Sequence, residues 1–250
     1  MSYAQKFAAD FVALDDKYQM VADYVQQLAK GMINGLIVNG PPGVGKTHAV
    51  KEHLEQYCPF NYKVINSQTT MLGLYMSLYA YRQKGRVLVL DDADSAYKDV
   101  LGLNLLKAAT DTMPTRTIHW NTSAKLAIPT SFDFEGAVIL VSNVGFGGND
   151  RKLAAHLLAL QDRCQRIHVA AGGNDSLFKQ ICYMVLHRKM LQKYAFTTTE
   201  EEKLLEYVET NLNRLDRVSL RAMIKLADTY VFQKTKWRTY ADETLLKVGV

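Results

Sequence analysis

The sequence predicts a phosphate-loop α/β fold: a parallel sheet flanked by helices, followed by a small all-helical domain. Three observations carry that expectation. Short apolar runs at residues 35–40, 86–90 and 137–142 alternate with segments of helical periodicity, as buried parallel strands and their crossover helices do. The first run leads into Gly40-Pro41-Pro42-Gly43-Val44-Gly45-Lys46-Thr47, which satisfies G-x-x-x-x-G-K-[ST] between a strand and a helix. Beyond residue 176 only helical spacing remains. The expected organisation is an amphipathic helical segment over 1–34, an α/β core over 35–172 and a helical domain over 173–250.

Each element follows from its pattern. Residues 7–30 place Phe11, Leu14, Tyr18, Val21, Val25 and Leu28 at spacings of three and four, one amphipathic helix or two. Residues 35–40 read as a buried strand, 46–57 as a helix, 62–66 as a second strand and 70–84 as a second helix. The near-continuous apolar run 86–90 is a third strand, ending in Asp91-Asp92. Helix follows over 100–109, a fourth strand over 137–142, helix over 153–160 and a last strand over 166–169. Three helices then cover 177–193, 199–212 and 220–237. Thr199 with Glu202 three residues later is the expected cap of the second, and Ser219 of the third.

Composition sets bounds. At 250 residues and 48% hydrophobic the chain supports a real core, and 22% charged residues exclude collagen-like or wholly disordered readings. No run approaches the ~18–20 apolar residues of a membrane helix, and no signal peptide is readable at the N-terminus. Cys58, Cys164 and Cys182 are an odd number without C-x-x-C spacing, which argues for a reducing compartment and against a disulfide framework or zinc site. A soluble, cytoplasmic protein is expected. The net charge of +5 permits a polyanionic partner without demanding one.

The loop carries the clearest chemistry. Its glycines let backbone N–H groups turn toward an anion, and the following helix N-terminus adds partial positive charge. A chance match in a chain of this length is roughly one in a hundred. The nucleotide-holding set is Gly40, Pro41, Pro42, Gly43, Val44, Gly45, Lys46, Thr47 and His48. Within it Lys46 is expected on the β- and γ-phosphates and Thr47 on Mg²⁺. A carboxylate at the end of a neighbouring strand completes such a metal site, which assigns Asp91. Asp92 is then placed to polarise the attacking water, with Asp94 as an alternative.

The G-P-P-G-V-G-K-T loop, the apolar strand ending in two carboxylates and the helical C-terminal domain together resemble the AAA+ ATPase family, over roughly residues 35–236. The resemblance implies ATP as nucleotide, Mg²⁺, and a homo-oligomeric ring, hexameric in many members. Most members carry Asp-Glu where this chain has Asp91-Asp92, although Asp-Asp occurs among replication initiators. Ile139-Leu140-Val141-Ser142-Asn143 fits the polar sensor that contacts the γ-phosphate, which implies Asn143. Leu160-Gln161-Asp162-Arg163-Cys164 looks like the Ser-Arg-Cys signature of clamp loaders, with Asp162 replacing Ser. That implies Arg163 as a finger acting on the neighbouring subunit, with Arg166 and Arg151 as rivals. Val218-Ser219-Leu220-Arg221-Ala222 resembles the second sensor and implies Arg221, with Arg217 as rival.

Two inserts bear on the substrate. Alternation over 117–122 suggests a hairpin with Lys125 near its tip and Arg116, His119 and Trp120 nearby. It sits where DNA-binding branches of the family carry one, although a hairpin that merely covers core fits equally. Met71-Leu72-Gly73 looks like the polypeptide-gripping tripeptide of protein-unfolding members, yet Leu74, Tyr75 and Leu78 continue a helical core stripe. Arg214, Arg217, Arg221, Lys225, Lys234, Lys236 and Arg238 form a basic stretch opposed by Asp216 and Asp228. The compact form resembles phage- or plasmid-type replication ATPases, which implies helicase loading, initiation or DNA translocation in a host cytoplasm. A protein-remodelling ATPase and a nucleotide-gated assembly switch stay open.

Overall fold

The computed structural model describes residues 2–66, 68–143, 151–169 and 172–247, and the side chains of Asp94, Arg151 and Lys152 lie outside that description. The chain opens with α1 (Tyr3–Lys6) and α2 (Ala8–Ala29), then β1 (Gly35–Asn39), α3 (Lys46–Tyr57), β2 (Tyr62–Asn66) and α4 (Met71–Ala80). β3 (Val87–Asp91), α5 (Asp94–Tyr97), α6 (Val100–Ala109), β4 (Thr117–His119) and β5 (Ser131–Asp133) follow. After β6 (Ala137–Ser142), α7 (Arg151–Arg163) and β7 (Gln165–His168) come α8 (Asn174–Cys182), α9 (Thr198–Thr210), α10 (Leu220–Phe232) and α11 (Trp237–Leu245). Two compact units result: Tyr18–Gly40 with Lys46–His168, and Met1–Lys17 with Pro41–Gly45 and Val169–Val250.

The first unit is the α/β body. Its five strands are all parallel, in the order β2-β3-β6-β1-β7. β6 is buried along its whole length and β1 and β3 along all but the last residue, which is why they read as continuous apolar runs. The order brings the C-terminal ends of β1, β6 and β3 side by side, with Asn39 opposite Ser142 and Asp91 opposite Val141. Ligands of open parallel sheets sit outside such carboxyl ends. One face is filled by Leu74, Tyr75 and Leu78 of α4 and Leu103 and Leu106 of α6.

Several expectations are adjusted by the fold. The helix expected over 70–84 stops at Ala80, where the Tyr81 N–H returns to the Ser77 carbonyl. Arg82 then donates to the Tyr79 carbonyl, its guanidinium 3.9 Å from the Tyr79 ring centre. Met71 and Leu72 lie in the first turn of α4, and Leu72 packs on the core. The alternating segment 117–122 contributes a strand of three residues, paired antiparallel with β5 in the register Ile118 opposite Phe132. Lys125 is exposed in the connection between them. Arg116 and Trp120 turn inward instead of joining it. Arg116 donates to the Ala109 carbonyl and lies over Phe134, and Trp120 packs 5.4 Å from the Tyr75 ring.

The second unit is helical, and its N-terminal stretch of chain is tied in by polar contacts no periodicity reveals. Tyr3 Oη and Lys6 Nζ each donate to Glu209 at 2.6 Å, and Lys179 donates to Asp10 at 2.9 Å. The helix expected over 177–193 is α-helical to Cys182, continues as a turn of π-helix over Tyr183–His187 and ends before Lys189, which takes left-handed backbone (φ 54°). The helix expected to run to 237 stops at Phe232. Trp237 instead opens α11, its indole 5.3 Å from Tyr207 and 5.5 Å from Tyr230, both edge-on.

Ser219 caps α10 as expected, accepting from the Ala222 N–H. The cap of α9 is Thr197 with Glu200, not Thr199 with Glu202. Three threonines followed by three glutamates satisfy the capping pattern in three registers. The earliest adds the most backbone hydrogen bonds, beginning with Glu201 N–H to Thr197 O at 3.0 Å. Thr197→Ala is therefore expected to cost about 1 kcal/mol in denaturant unfolding, while Thr199→Ala stays within about 0.5 kcal/mol.

Candidate active site

Five polar side chains converge at the carboxyl ends of β1, β6 and β3. Lys46, the first residue of α3, is 5% exposed. A buried ammonium needs acceptors, and Lys46 Nζ donates to the Gly40 carbonyl at 2.9 Å and to Asn143 Oδ1 at 2.7 Å. Asn143 follows β6 directly, and its Nδ2 donates to Asp92 Oδ1 at 2.7 Å. The amide thus presents its acceptor to the cation and its donor to the carboxylate. Beside this relay Thr47 Oγ1 donates to Asp91 Oδ1 at 3.0 Å. Asp92 sits in left-handed backbone (φ 50°), and its N–H donates to the Val141 carbonyl at 3.0 Å. Aspartate tolerates that conformation better than most residues.

Burial is the main reason the Asp91 carboxyl titrates above the ordinary aspartate range, and the neighbouring Asp92 charge adds to it. The Thr47 hydroxyl, Lys51 and Lys46 oppose the shift. A half-buried carboxylate beside a hydroxyl and a second carboxylate is an all-oxygen set short of positive charge, which suits a hard cation. His48 lies one residue further along α3 with its side chain 75% exposed, its Nδ1 3.8 Å from Glu52.

The loop between Gly40 and Lys46 belongs to the helical unit. Gly43 (φ 76°) and Gly45 (φ 89°) occupy backbone that only glycine enters cheaply. A Cβ at Gly43 would come within 2.7 Å of Ser219 Cβ. The Gly43 carbonyl accepts from Leu220 N–H at 2.8 Å and the Val44 carbonyl from Gln180 Nε2 at 2.9 Å. A cavity of about 320 Å³ beside the loop is lined by Pro42, Gly43, Arg217, Ser219, Arg221 and Lys225. Both Arg221 and its rival Arg217 therefore face the same space. The basic stretch read from the sequence does not form one face. Arg214 donates to Asn211, Lys234 pairs with Glu200 and Arg238 lies over Trp237.

Arg163 stands apart from the five-residue cluster of its own chain. As the last residue of α7 it precedes β7, at the amino edge of the sheet, whereas Lys46 and Asp91 lie at the carboxyl edge. Its Nε donates to Asp111 Oδ2 at 3.4 Å and its Nη1 to the Ala159 carbonyl at 2.7 Å. Asn34, just before β1, donates to the Asp111 carbonyl at 2.6 Å. The rival Arg166 is exposed on β7 and donates to Gln161. Arg151, its second rival, and Asp94, which could stand in for Asp92, have side chains outside the described residues. Neither Asp111 nor Gln180 is marked by a motif. A glutamine on an apolar helix face is the one sequence signal for the second, and nothing signals the first.

The chain is 32% identical over 238 residues to the uncharacterized 36.7 kDa protein of the nrdC-mobD intergenic region of Enterobacteria phage T4. It belongs to that protein's family. The match takes in 91% of this chain and 73% of the phage protein. No protein-family model matches the chain. Among solved structures, domain III of the replication initiation protein DnaA from Thermotoga maritima superposes with a TM-score of 0.52 at 14% identity, covering 92% of both chains. AMPPCP-bound DnaA from Aquifex aeolicus gives 0.50 at 15% identity, covering 90% of this chain and 65% of that one. At these identities what is shared is the fold: a parallel sheet, flanking helices and a C-terminal helical region. Among the described residues no helix is long and apolar enough to cross a membrane.

The raised titration of Asp91 has a consequence for stability. Because its folded pKa exceeds the unfolded one, stability from this group is present at low pH and lost as pH rises through the folded value. Asp91→Asn is expected to raise the melting temperature of the ligand-free protein at pH 7. The gain should shrink as the pH approaches 4.

Proposed function

We propose that this protein is a ring-forming AAA+ ATP hydrolase of the replication-initiator kind, acting on DNA or a DNA-replication complex. The observation that carries the reading is the relay Lys46–Asn143–Asp92 beside the Thr47–Asp91 pair, all at the carboxyl ends of neighbouring strands. ATP is the substrate, cradled by residues 40–48, with Lys46 on the β- and γ-phosphates. Thr47 and Asp91 would hold Mg²⁺, which when bound neutralises charge on the phosphate oxygens. Asp92 accepts a hydrogen bond from the attacking water and aims it at the γ-phosphorus. Asn143, bonded to both Lys46 and Asp92, keeps nucleophile and phosphate in register.

Arg163 acts in trans. Its place at the amino edge of the sheet, opposite its own cluster, supports service to a neighbouring subunit, where a guanidinium stabilises the charge that develops on the γ-phosphoryl group. Arg221, with Arg217 beside it in the loop cavity, meets the γ-phosphate from the helical region. A homo-oligomer follows from that division of labour, and the family resemblance supplies the hexamer as its proposed size. DNA as the substrate is supported by the fold shared with replication initiation proteins and by the exposed Lys125 connection. The phage relative supports a host cytoplasm. The protein-remodelling alternative draws no support from Met71 and Leu72, which lie in the first turn of α4 with Leu72 packed on the core.

Steady-state ATP hydrolysis, measured at a concentration where the protein assembles, tests the reading. Single-stranded DNA is expected to stimulate the rate severalfold, and added salt to remove the effect. Arg163→Ala should lower kcat ~10³-fold or more, and activity per protomer should rise steeply with protein concentration. A dilute monomer as fast as the assembly would overturn the trans role, and a rate indifferent to DNA would overturn the substrate.

A further inference from the structure

Gln180 is 1% exposed and shares α8 with the buried Phe178, Ile181 and Cys182. A carboxamide this deep is costly unless it is hydrogen-bonded. Its Nε2 reaches a residue 136 positions earlier, donating to the Val44 carbonyl at 2.9 Å. The neighbouring Gly43 carbonyl is held by the Leu220 N–H at 2.8 Å. Two consecutive carbonyls of the phosphate loop are thus fastened to α8 and α10.

The orientation of the loop follows. In a trans peptide the C=O and N–H of one plane point in opposite directions, and the described residues contain no cis bond. Fastening the Gly43 carbonyl to α10 turns the Val44 N–H away from that helix. Fastening the Val44 carbonyl to α8 turns the Gly45 N–H away likewise. With left-handed backbone at Gly43 and Gly45, such N–H groups converge on a common concavity that suits an anion. Left to itself a glycine-rich loop would sample many other arrangements.

We propose that Gln180 is a positioning residue for the nucleotide phosphates, holding the Val44–Gly45 peptide so that its N–H faces the anion. This rests on the ATP reading above and assigns to the helical region a direct hold on the phosphate loop, separate from any contact Arg221 makes with nucleotide. Gln180 touches no phosphate itself.

Two variants test it by calorimetric titration with MgATP. Gln180→Met keeps the length and cannot donate, so affinity should fall roughly tenfold. kcat at saturating ATP should stay near wild type, so the change appears in KM. Gln180→Glu is an acceptor when ionised and a donor when protonated. Its affinity relative to wild type should be weak at about pH 8 and recover as the pH falls and the carboxyl protonates. Wild-type affinity in folded Gln180→Met, or a Gln180→Glu profile parallel to wild type at every pH, overturns the proposal. Should Gln180→Met fail to fold, the Gln180→Glu comparison decides alone. A wild-type protein that binds no MgATP overturns the ATP reading and this inference with it, whereas wild-type binding with unaffected variants overturns this inference only.

Discussion

The α/β body is organised around one buried ammonium. An amine taken out of water is tolerated only where acceptors replace its hydration, and Lys46 finds them in the Gly40 carbonyl and the Asn143 amide. That requirement ties the end of β1 to the end of β6. Asn143 then passes its N–H to Asp92, which ties β6 to β3. The strand order makes these bonds geometrically available, because β6 lies between β1 and β3. The apolar strands set the scaffold, and the polar relay sets the relative positions of their ends to within hydrogen-bond tolerance.

The proposed phosphoryl chemistry would draw on the same relay. Little covalent work is asked of the protein in such reactions; positioning and charge stabilisation dominate. In the proposed reaction a cation, a neutral amide and a carboxylate in sequence would offer one site for phosphate and one for water, spaced by a rigid planar group. Asp91 lies beside them in a state that burial makes energetically unfavourable when charged. A cation bound beside Asp91 would relieve that cost.

The helical unit has a different logic. Its polar contacts recruit segments far away in sequence: Glu209 collects Tyr3 and Lys6, Gln180 collects Val44, and Ser219 and Leu220 meet Gly43. Several expected features dissolve in it. The basic stretch breaks up as Arg214, Lys234 and Arg238 find local partners, leaving Arg217, Arg221 and Lys225 around the loop cavity. The long third helix splits because Trp237 gains two edge-on aromatic neighbours by turning back.

What the amino-acid sequence determined by itself was local or strongly periodic. Residues 62–66, 100–109 and 137–142 were legible to the residue, since apolar runs and helical stripes report burial directly. The phosphate loop was equally legible because its glycines answer a backbone need that other residues meet at a cost. That Asp91 lies next to Thr47 was expected from motif position, whereas the hydrogen bonds of Asn143 to Lys46 and Asp92 were not read from it. What only the tertiary structure decided was everything that depends on strand order or on side-chain partners distant in sequence. Arg163 stands at the amino edge of the sheet against Asp111, and Arg116 and Trp120 are spent on packing. The cap of α9 falls at Thr197, and Gln180 reaches Val44. Side-chain hydrogen bonds of this kind follow from which surfaces meet after the chain has collapsed, and a one-dimensional pattern holds no record of that meeting.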